Sequence, residues 1–277
     1  MNNHLSEKLV GIFDSGIGGL SVFREIHNML PFQPLYYIAD QAHVPYGKRQ
    51  MSEIRDFTFA ITDFLAAMGV QVIVVACNTA SAAALKELRK EYPQLTFVGM
   101  EPAVKPATQK THNGIVGVLA TPATFQGKLY HTLVEKFARD VNIFTHTCPG
   151  LVEAIESGEI ATQNTRLILQ QALLPMIDKG ADTIVLGCTH FPFVVPMIKR
   201  IVGPDVTVID PSPAIARRVS FLLSELNLIQ RYSSKSEIIF STTGKPERFK
   251  RVIHSLIGID TSSIPLMWKS GKLTRIE

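Results

Sequence analysis

VIVVACNT at residues 72–79 and TIVLGCTH at residues 183–190 follow one plan. Each is a short, β-branched-rich apolar run that ends in a cysteine and continues into small hydroxyl or polar residues. Apolar runs of about five residues without alternation predict strands buried on both faces, the habit of a parallel sheet. Two such runs, each closed by a thiol, divide the chain into two related halves. Packed face to face, the halves bring Cys77 and Cys188 into one cleft from opposite sides. That placement suits a reaction that takes a proton from one face of a carbon and returns one to the other.

Outward from these runs, short apolar strand patterns alternate with helical ones, which predicts an α/β fold built on parallel sheets. Strands are expected at 9–13, 34–39, 72–76, 96–99, 115–120, 142–145, 183–187, 207–209 and 237–241. Helical patterns lie between them at 51–68, 80–91, 125–137, 162–179, 193–202 and 213–226. The halves echo one another a second time: VGIFDSGIGGLSVF (10–23) and VGVLATPATFQGKLY (116–130) both read strand, polar turn, helix start. Seams fall at MEPAVKPAT (100–108) and DPSP (210–213). The tail carries a helix, a linker at 231–236 and a further strand, read as returning to complete the first half. The expected architecture is two similar α/β domains related by pseudo-symmetry, one discontinuous (1–99 plus 212–277) and one spanning 100–211. The ligand cleft lies between them, where strand C-terminal ends converge.

With 46% hydrophobic and 19% charged residues among 277, the chain can bury a substantial core and is not disordered. A net charge of +4, with Lys and Arg scattered, argues against a nucleic-acid surface. Three cysteines without CxxC or ligand spacing describe neither a disulfide framework nor a structural zinc site, and suit a reducing cytosol. No secretory signal and no membrane span is expected. The reading is of a cytoplasmic protein with a small-molecule substrate and no nucleic-acid or membrane partner; a homodimer is left open.

Asp14-Ser15-Gly16-Ile17-Gly18-Gly19 follows the first strand and precedes a helix. Such glycines let backbone N–H groups approach an anion. A dinucleotide fingerprint matches poorly, because Ser21 takes the third glycine slot and Asp14 sets a negative charge where a pyrophosphate would sit. Pro45-Tyr46-Gly47 forms a turn able to offer N–H groups and a phenol to a ligand, or an ordinary loop. Cys77-Asn78-Thr79 opens a helix, where a thiolate is favoured and an amide and a hydroxyl can hold a carboxylate. In Cys188-Thr189-His190 the histidine can exchange a proton with the thiol or stabilise its thiolate. Thr121 and Thr124 can bind a carboxylate, cap a helix, or do both. Cys148 reads as structural. Glu153 and Glu156 share a helix face, and either could supply a proton partner.

Together these segments resemble the glutamate racemases of the cofactor-independent aspartate/glutamate racemase superfamily. The matching stretches are GIFDSGIGGLSV (11–22), YIADQAHVPYGKR (37–49), VVACNTASA (74–82), GVLATPATFQGKLY (117–130), CPGLVEAIESG (148–158), VLGCTHFPF (185–193), VIDPS (208–212) and FSTTGKPERF (240–249). The resemblance implies interconversion of L- and D-glutamate by Cys77 and Cys188 as acid/base thiols, without pyridoxal phosphate, metal or nucleotide, to supply peptidoglycan synthesis. It implies that Cys188 deprotonates L-glutamate and Cys77 D-glutamate, assisted by His190 and Asp14 respectively. It puts the family's glutamate on Glu156. Substrate-binding pairs fall on Asp14 and Ser15, Tyr46 and Gly47 beside Pro45, Asn78 and Thr79, and Thr189 and His190. Ala123, Gly127 and Glu153 depart from the family pattern. Three other readings remain: aspartate racemase, a cysteine-nucleophile hydrolase using Cys188 and His190, and a hinged amino-acid-binding protein.

Overall fold

The computed structural model describes residues 8–231 and 237–276. The chain first lays down β1 (Val10–Asp14), α1 (Leu20–Met29), β2 (Leu35–Ala39), α2 (Met51–Ala67), β3 (Val72–Val75), α3 (Asn78–Glu91) and β4 (Thr96–Gly99). After α4 (Val104–Lys110) it repeats the scheme with β5 (Ile115–Ala120), α5 (Pro122–Gln126), α6 (Lys128–Phe137) and β6 (Asn142–His146). Then come α7 (Leu151–Glu156), α8 (Gln163–Asp178), β7 (Thr183–Gly187), α9 (Val195–Val202) and β8 (Thr207–Ile209). Finally α10 (Ser212–Glu225), β9 (Ile238–Thr242), α11 (Pro246–Ile257), β10 (Ser263–Lys269) and β11 (Lys272–Arg275) return to the first sheet.

The two sheets carry the same order. The first runs β11-β10-β9-β2-β1-β3-β4 and the second β6-β5-β7-β8. Mapping β1 to β4 onto β5 to β8 makes β2-β1-β3-β4 and β6-β5-β7-β8 identical, and every pairing except β10 with β11 is parallel. The internal echo of the sequence is thus a repeat of topology. β1, β2, β3 and β7 are buried along their whole length, as unalternating apolar runs require. β6 and β8, at the edges of the second sheet, are only partly buried.

The nine strands expected from periodicity all form, within a residue or so. Two expectations change. The helix expected across 125–137 is broken: Gly127 is extended (φ −67°, ψ 133°) between α5 and α6, and a Cβ there would stand 2.9 Å from the Ala82 Cβ. The C-terminal α11 and the β10–β11 hairpin were not foreseen. Their strands are half-exposed, and β10 carries Pro265, so no buried-strand pattern marks them. The linker at 232–236 lies outside the described residues.

The largest apolar cluster runs through both sheets, joining Val10, Ile12 and Val74 of the first to Leu119, Ile184 and Leu186 of the second. Above it, the C-terminal ends of β1, β2, β3, β5 and β7 converge. Among the described residues no helix is long and apolar enough to cross a membrane.

Candidate active site

Each cysteine follows the third strand of its half. Cys77 is the residue before α3, with its Sγ accepting from the Ala80 N–H at 3.4 Å and facing the Ser15 N–H. Cys188 follows β7 and lies 3.7 Å from His190 Nδ1. Both thiols are only 5% exposed. Burial, and then the neighbouring Asp14 carboxylate, push the Cys77 thiol well above the usual thiol range, which keeps it protonated at neutral pH.

His190 carries its partner on the far side. Its Nε2–H donates to Glu156 Oε1 at 2.7 Å, so Nδ1 is the nitrogen turned to Cys188. Burial by itself would lower the imidazole pKa, but the contacts to Cys188 and Glu156 outweigh it and hold His190 well above its ordinary value. Burial likewise opposes the Glu156 charge, yet His190 and the Ile17 N–H at 2.8 Å keep the carboxylate below the ordinary glutamate range. Of the two glutamates on α7, Glu156 therefore enters the cleft. Glu153 turns outward to an ion pair with Lys48.

The glycine-rich turn packs directly against Glu156, His190 and Thr189. A Cβ on Gly16 would sit 2.7 Å from the Glu156 carboxyl carbon, and one on Gly18 would sit 2.7 Å from Thr189 Oγ1. Only glycine lets the β1–α1 turn lie against the Glu156–His190 pair. An added Cβ must push the Glu156 carboxylate off His190 and the Ile17 N–H, so Gly16→Ala is expected to lower Tm together with turnover. Its kcat is expected to fall about 10²-fold, the scale of an ångström-sized misplacement. Parental turnover in this variant would contradict the role given to the turn.

Asp14 does not stay with Cys77 alone. Its Oδ1 accepts from the Gly16 N–H at 2.8 Å and its Oδ2 from the Thr189 hydroxyl at 3.0 Å, so it touches the triplet of the opposite cysteine. Its effect on Cys77 is through charge. Burial raises the Asp14 pKa, opposed by the His190 charge.

Thr79 from α3 meets Thr121 (2.9 Å) and Thr124 (3.4 Å) from the other half, and these two are 2.9 Å apart. Three hydroxyls so bridge the cleft. Thr121 also caps α5 by accepting from the Thr124 N–H, so its capping reading holds. Asn78 is 3% exposed, and neither its amide nitrogen nor its oxygen has a partner among the described residues. A buried, unpaired amide group costs about 1–3 kcal/mol, which a ligand offering a matching acceptor and donor would recover.

Tyr46 behaves differently from expectation. Its phenol donates to Asp40 Oδ2 at 2.6 Å and is not free for a ligand. The loop's contribution is its backbone. The N–H groups of Tyr46 and Gly47 open a short 3-10 turn (Tyr46–Lys48) and have no partner within it. Gly47 is pressed to Thr121, whose Cβ would lie 2.7 Å from an added Cβ. Asp40, fully buried, anchors the loop by also accepting from Thr243 (2.8 Å), Trp268 Nε1 (2.7 Å) and His43 (2.8 Å). The sequence places Asp40 at the end of the second strand, opening this loop, without giving it a role, and Trp268 escaped the reading. A buried aspartate ending a strand was the one available signal, and Trp268 had none. Cys148 is buried, with its N–H donating to His146 Nδ1 and its thiol pushed up to about 12 by burial.

Residues 10–219 match the Asp/Glu/hydantoin racemase family. A glutamate racemase of Roseiflexus sp. (strain RS-1) is 48% identical over 252 residues, covering 91% of this chain and 93% of that one. Among solved structures, glutamate racemase isoform RacE1 of Bacillus anthracis aligns with a TM-score of 0.83 at 31% identity, covering 95% of this chain and 98% of that one. The Francisella tularensis glutamate racemase, solved in complex with D-glutamate, aligns with a TM-score of 0.81 at 29% identity, covering 93% and 96%. With a family match over most of its length and two paired thiols at matching strand ends, this chain belongs to the Asp/Glu/hydantoin racemase family and is an amino-acid racemase, an isomerase.

Proposed function

We propose that this protein interconverts L- and D-glutamate by a two-cysteine acid/base mechanism. The observation that carries the reading is the unequal pairing of two buried thiols across one cleft. Cys188 Sγ stands 3.7 Å from Nδ1 of an imidazole whose Nε2–H is bonded to Glu156, so a proton partner lies beside its sulfur. Cys77 is held as a thiol by burial and Asp14. In this resting arrangement Cys188 removes the α-proton of L-glutamate while Cys77 donates its own to the opposite face. The electron pair released from the Cα–H bond forms the new Cα–H bond, and the two sulfurs exchange roles. D-glutamate meets the reverse arrangement.

An α-amino acid supplies both acceptor and donor, a carboxylate for the Asn78 amide N–H and an ammonium for its oxygen. The Thr79, Thr121 and Thr124 hydroxyls and the Ser15, Tyr46 and Gly47 region offer further donors for two carboxylates. Donors aimed at the α-carboxylate stabilise the charge that builds as the proton leaves. General acid/base groups contribute about 10²–10⁴-fold each, so a closed, water-poor cleft supplies much of the remainder. The D-product serves peptidoglycan synthesis, and the enzyme works in the cytoplasm, where its three unpaired thiols stay reduced.

The Cys188–His190–Glu156 chain also has the make-up of a thiol-nucleophile triad. That reading leaves Cys77 idle, and it would be favoured by a thioester trapped from an ester substrate. The deciding experiment incubates the protein, without added cofactor, with L-glutamate, D-glutamate or L-aspartate and follows optical rotation. Glutamate is expected to decay to zero rotation from either enantiomer while aspartate keeps its rotation. Unchanged rotation of glutamate would refute the proposal.

A further inference from the structure

We propose that Gln41 is a positioning residue for the reaction: from the end of β2 it reaches across the cleft and fixes Glu156 on His190. The inference rests on the functional reading above. Glu156 sits at the end of α7, in the second half, and one oxygen is already occupied by His190 and the Ile17 N–H. Its other oxygen, Oε2, accepts from Gln41 Nε2 at 3.2 Å. A carboxylate held at one oxygen can still swing about its own axis. Held at both, it presents Oε1 to His190 in one orientation, and His190 in turn presents Nδ1 to Cys188.

The Gln41 amide is itself oriented. Thr242, ending β9, donates its hydroxyl to Gln41 Oε1 at 2.9 Å and accepts from the Gly244 N–H at 2.9 Å. Since Oε1 faces that hydroxyl, the amide nitrogen is the end turned to Glu156. Gly244 leaves the room required: a Cβ there would lie 2.8 Å from the Gln41 Cβ. Arg248 of α11 completes the clamp by donating to the Glu156 carbonyl at 3.1 Å. A file of hydrogen bonds therefore runs Thr242, Gln41, Glu156, His190, Cys188. The residue beside Gln41, Asp40, anchors the Pro45–Gly47 loop, so two successive residues at one strand end govern the binding loop and the acid/base pair.

The role needs a donor against Glu156, which separates it from mere packing. Gln41→Leu keeps the bulk and removes the donor. Its kcat is expected to fall by up to about 10²-fold with KM within about threefold, the mark of misplaced chemistry. Gln41→Glu restores a donor only while it is protonated. Its activity relative to the parent is expected to rise as pH falls, because two facing carboxylates cannot both stay ionised and the shared proton replaces the amide N–H. Thr242→Val, which frees the amide, is expected to show a smaller loss of the same kind and carries the test if Gln41→Leu does not fold. Parental kcat in Gln41→Leu and Thr242→Val, a loss confined to KM, or a pH-independent ratio for Gln41→Glu would overturn the proposal. The parent's own turnover of glutamate is the control: its absence would sink the functional reading, whereas normal parental turnover with unaffected variants sinks the clamp alone.

Discussion

Replacing Cys77 or Cys188 by serine is expected to lower racemisation about 10²–10⁴-fold while leaving the fold intact. Each thiol is a small buried group at a strand end, and serine is close to it in size. The two enantiomers have equal free energy, so kcat/KM for L- and D-glutamate must fall together in either variant. The asymmetry shows instead in exchange of the α-hydrogen. In ²H₂O, Cys77→Ser keeps the Cys188–His190–Glu156 group, so deuterium should enter L-glutamate without inversion. Cys188→Ser should place deuterium in D-glutamate instead. Proton NMR of the recovered amino acid, resolved by enantiomer, reads this directly. Equal exchange into both enantiomers by either variant would count against two bases with separate faces.

Glu156→Gln has the second-largest expected effect, on turnover and stability together. The glutamate is the anionic half of a buried pair, and removing one partner of such a pair costs about 3–5 kcal/mol when the other charge is left behind. His190 is held above its ordinary 6.5, so its contribution is fully present below that pH and is lost as pH rises through its folded value. Glu156 is held below its ordinary 4.5, so its contribution is present above that pH and is lost as pH falls through its folded value. Both are complete between these limits. The parent-minus-variant stability difference from denaturant titration should therefore be largest near about pH 5.5 and shrink as pH rises. A difference that is constant with pH would show that the pair is not charged. Turnover should drop about 10²-fold, because His190 loses the partner that fixes its Nε2 proton.

Legibility followed the range of the interaction. β1, β2, β3 and β7 could be read because a strand buried on both faces must be a continuous apolar run, and that is a local property. The hairpin of β10 and β11 left only a turn signal: Ser270 and Gly271 both have positive φ, as a two-residue hairpin turn demands. The two thiols, Asn78 and Thr121 could be picked out because they directly follow apolar strands, although Cys77 and Thr121 also cap the helices that begin there. Gln41 and Trp268 could not. Each looks like an ordinary polar-loop or edge-strand residue until the chain brings Glu156 or Asp40 to it from more than a hundred residues away.

The paired cysteines with which the chain announces itself show the same division. By itself the sequence determined the α/β class, the repeat, and the strand ends on which two thiols stand, because burial and turn chemistry are written into neighbouring residues. Tertiary structure decided what makes the thiols unequal. It turned Glu156, not Glu153, inward, tied Asp14 to Thr189 across the cleft, and took the Tyr46 phenol for Asp40. Those choices depend on which groups meet in a low-dielectric cleft after the halves pack. A hydrogen bond between residues 17 and 156 leaves no spacing in the sequence to read.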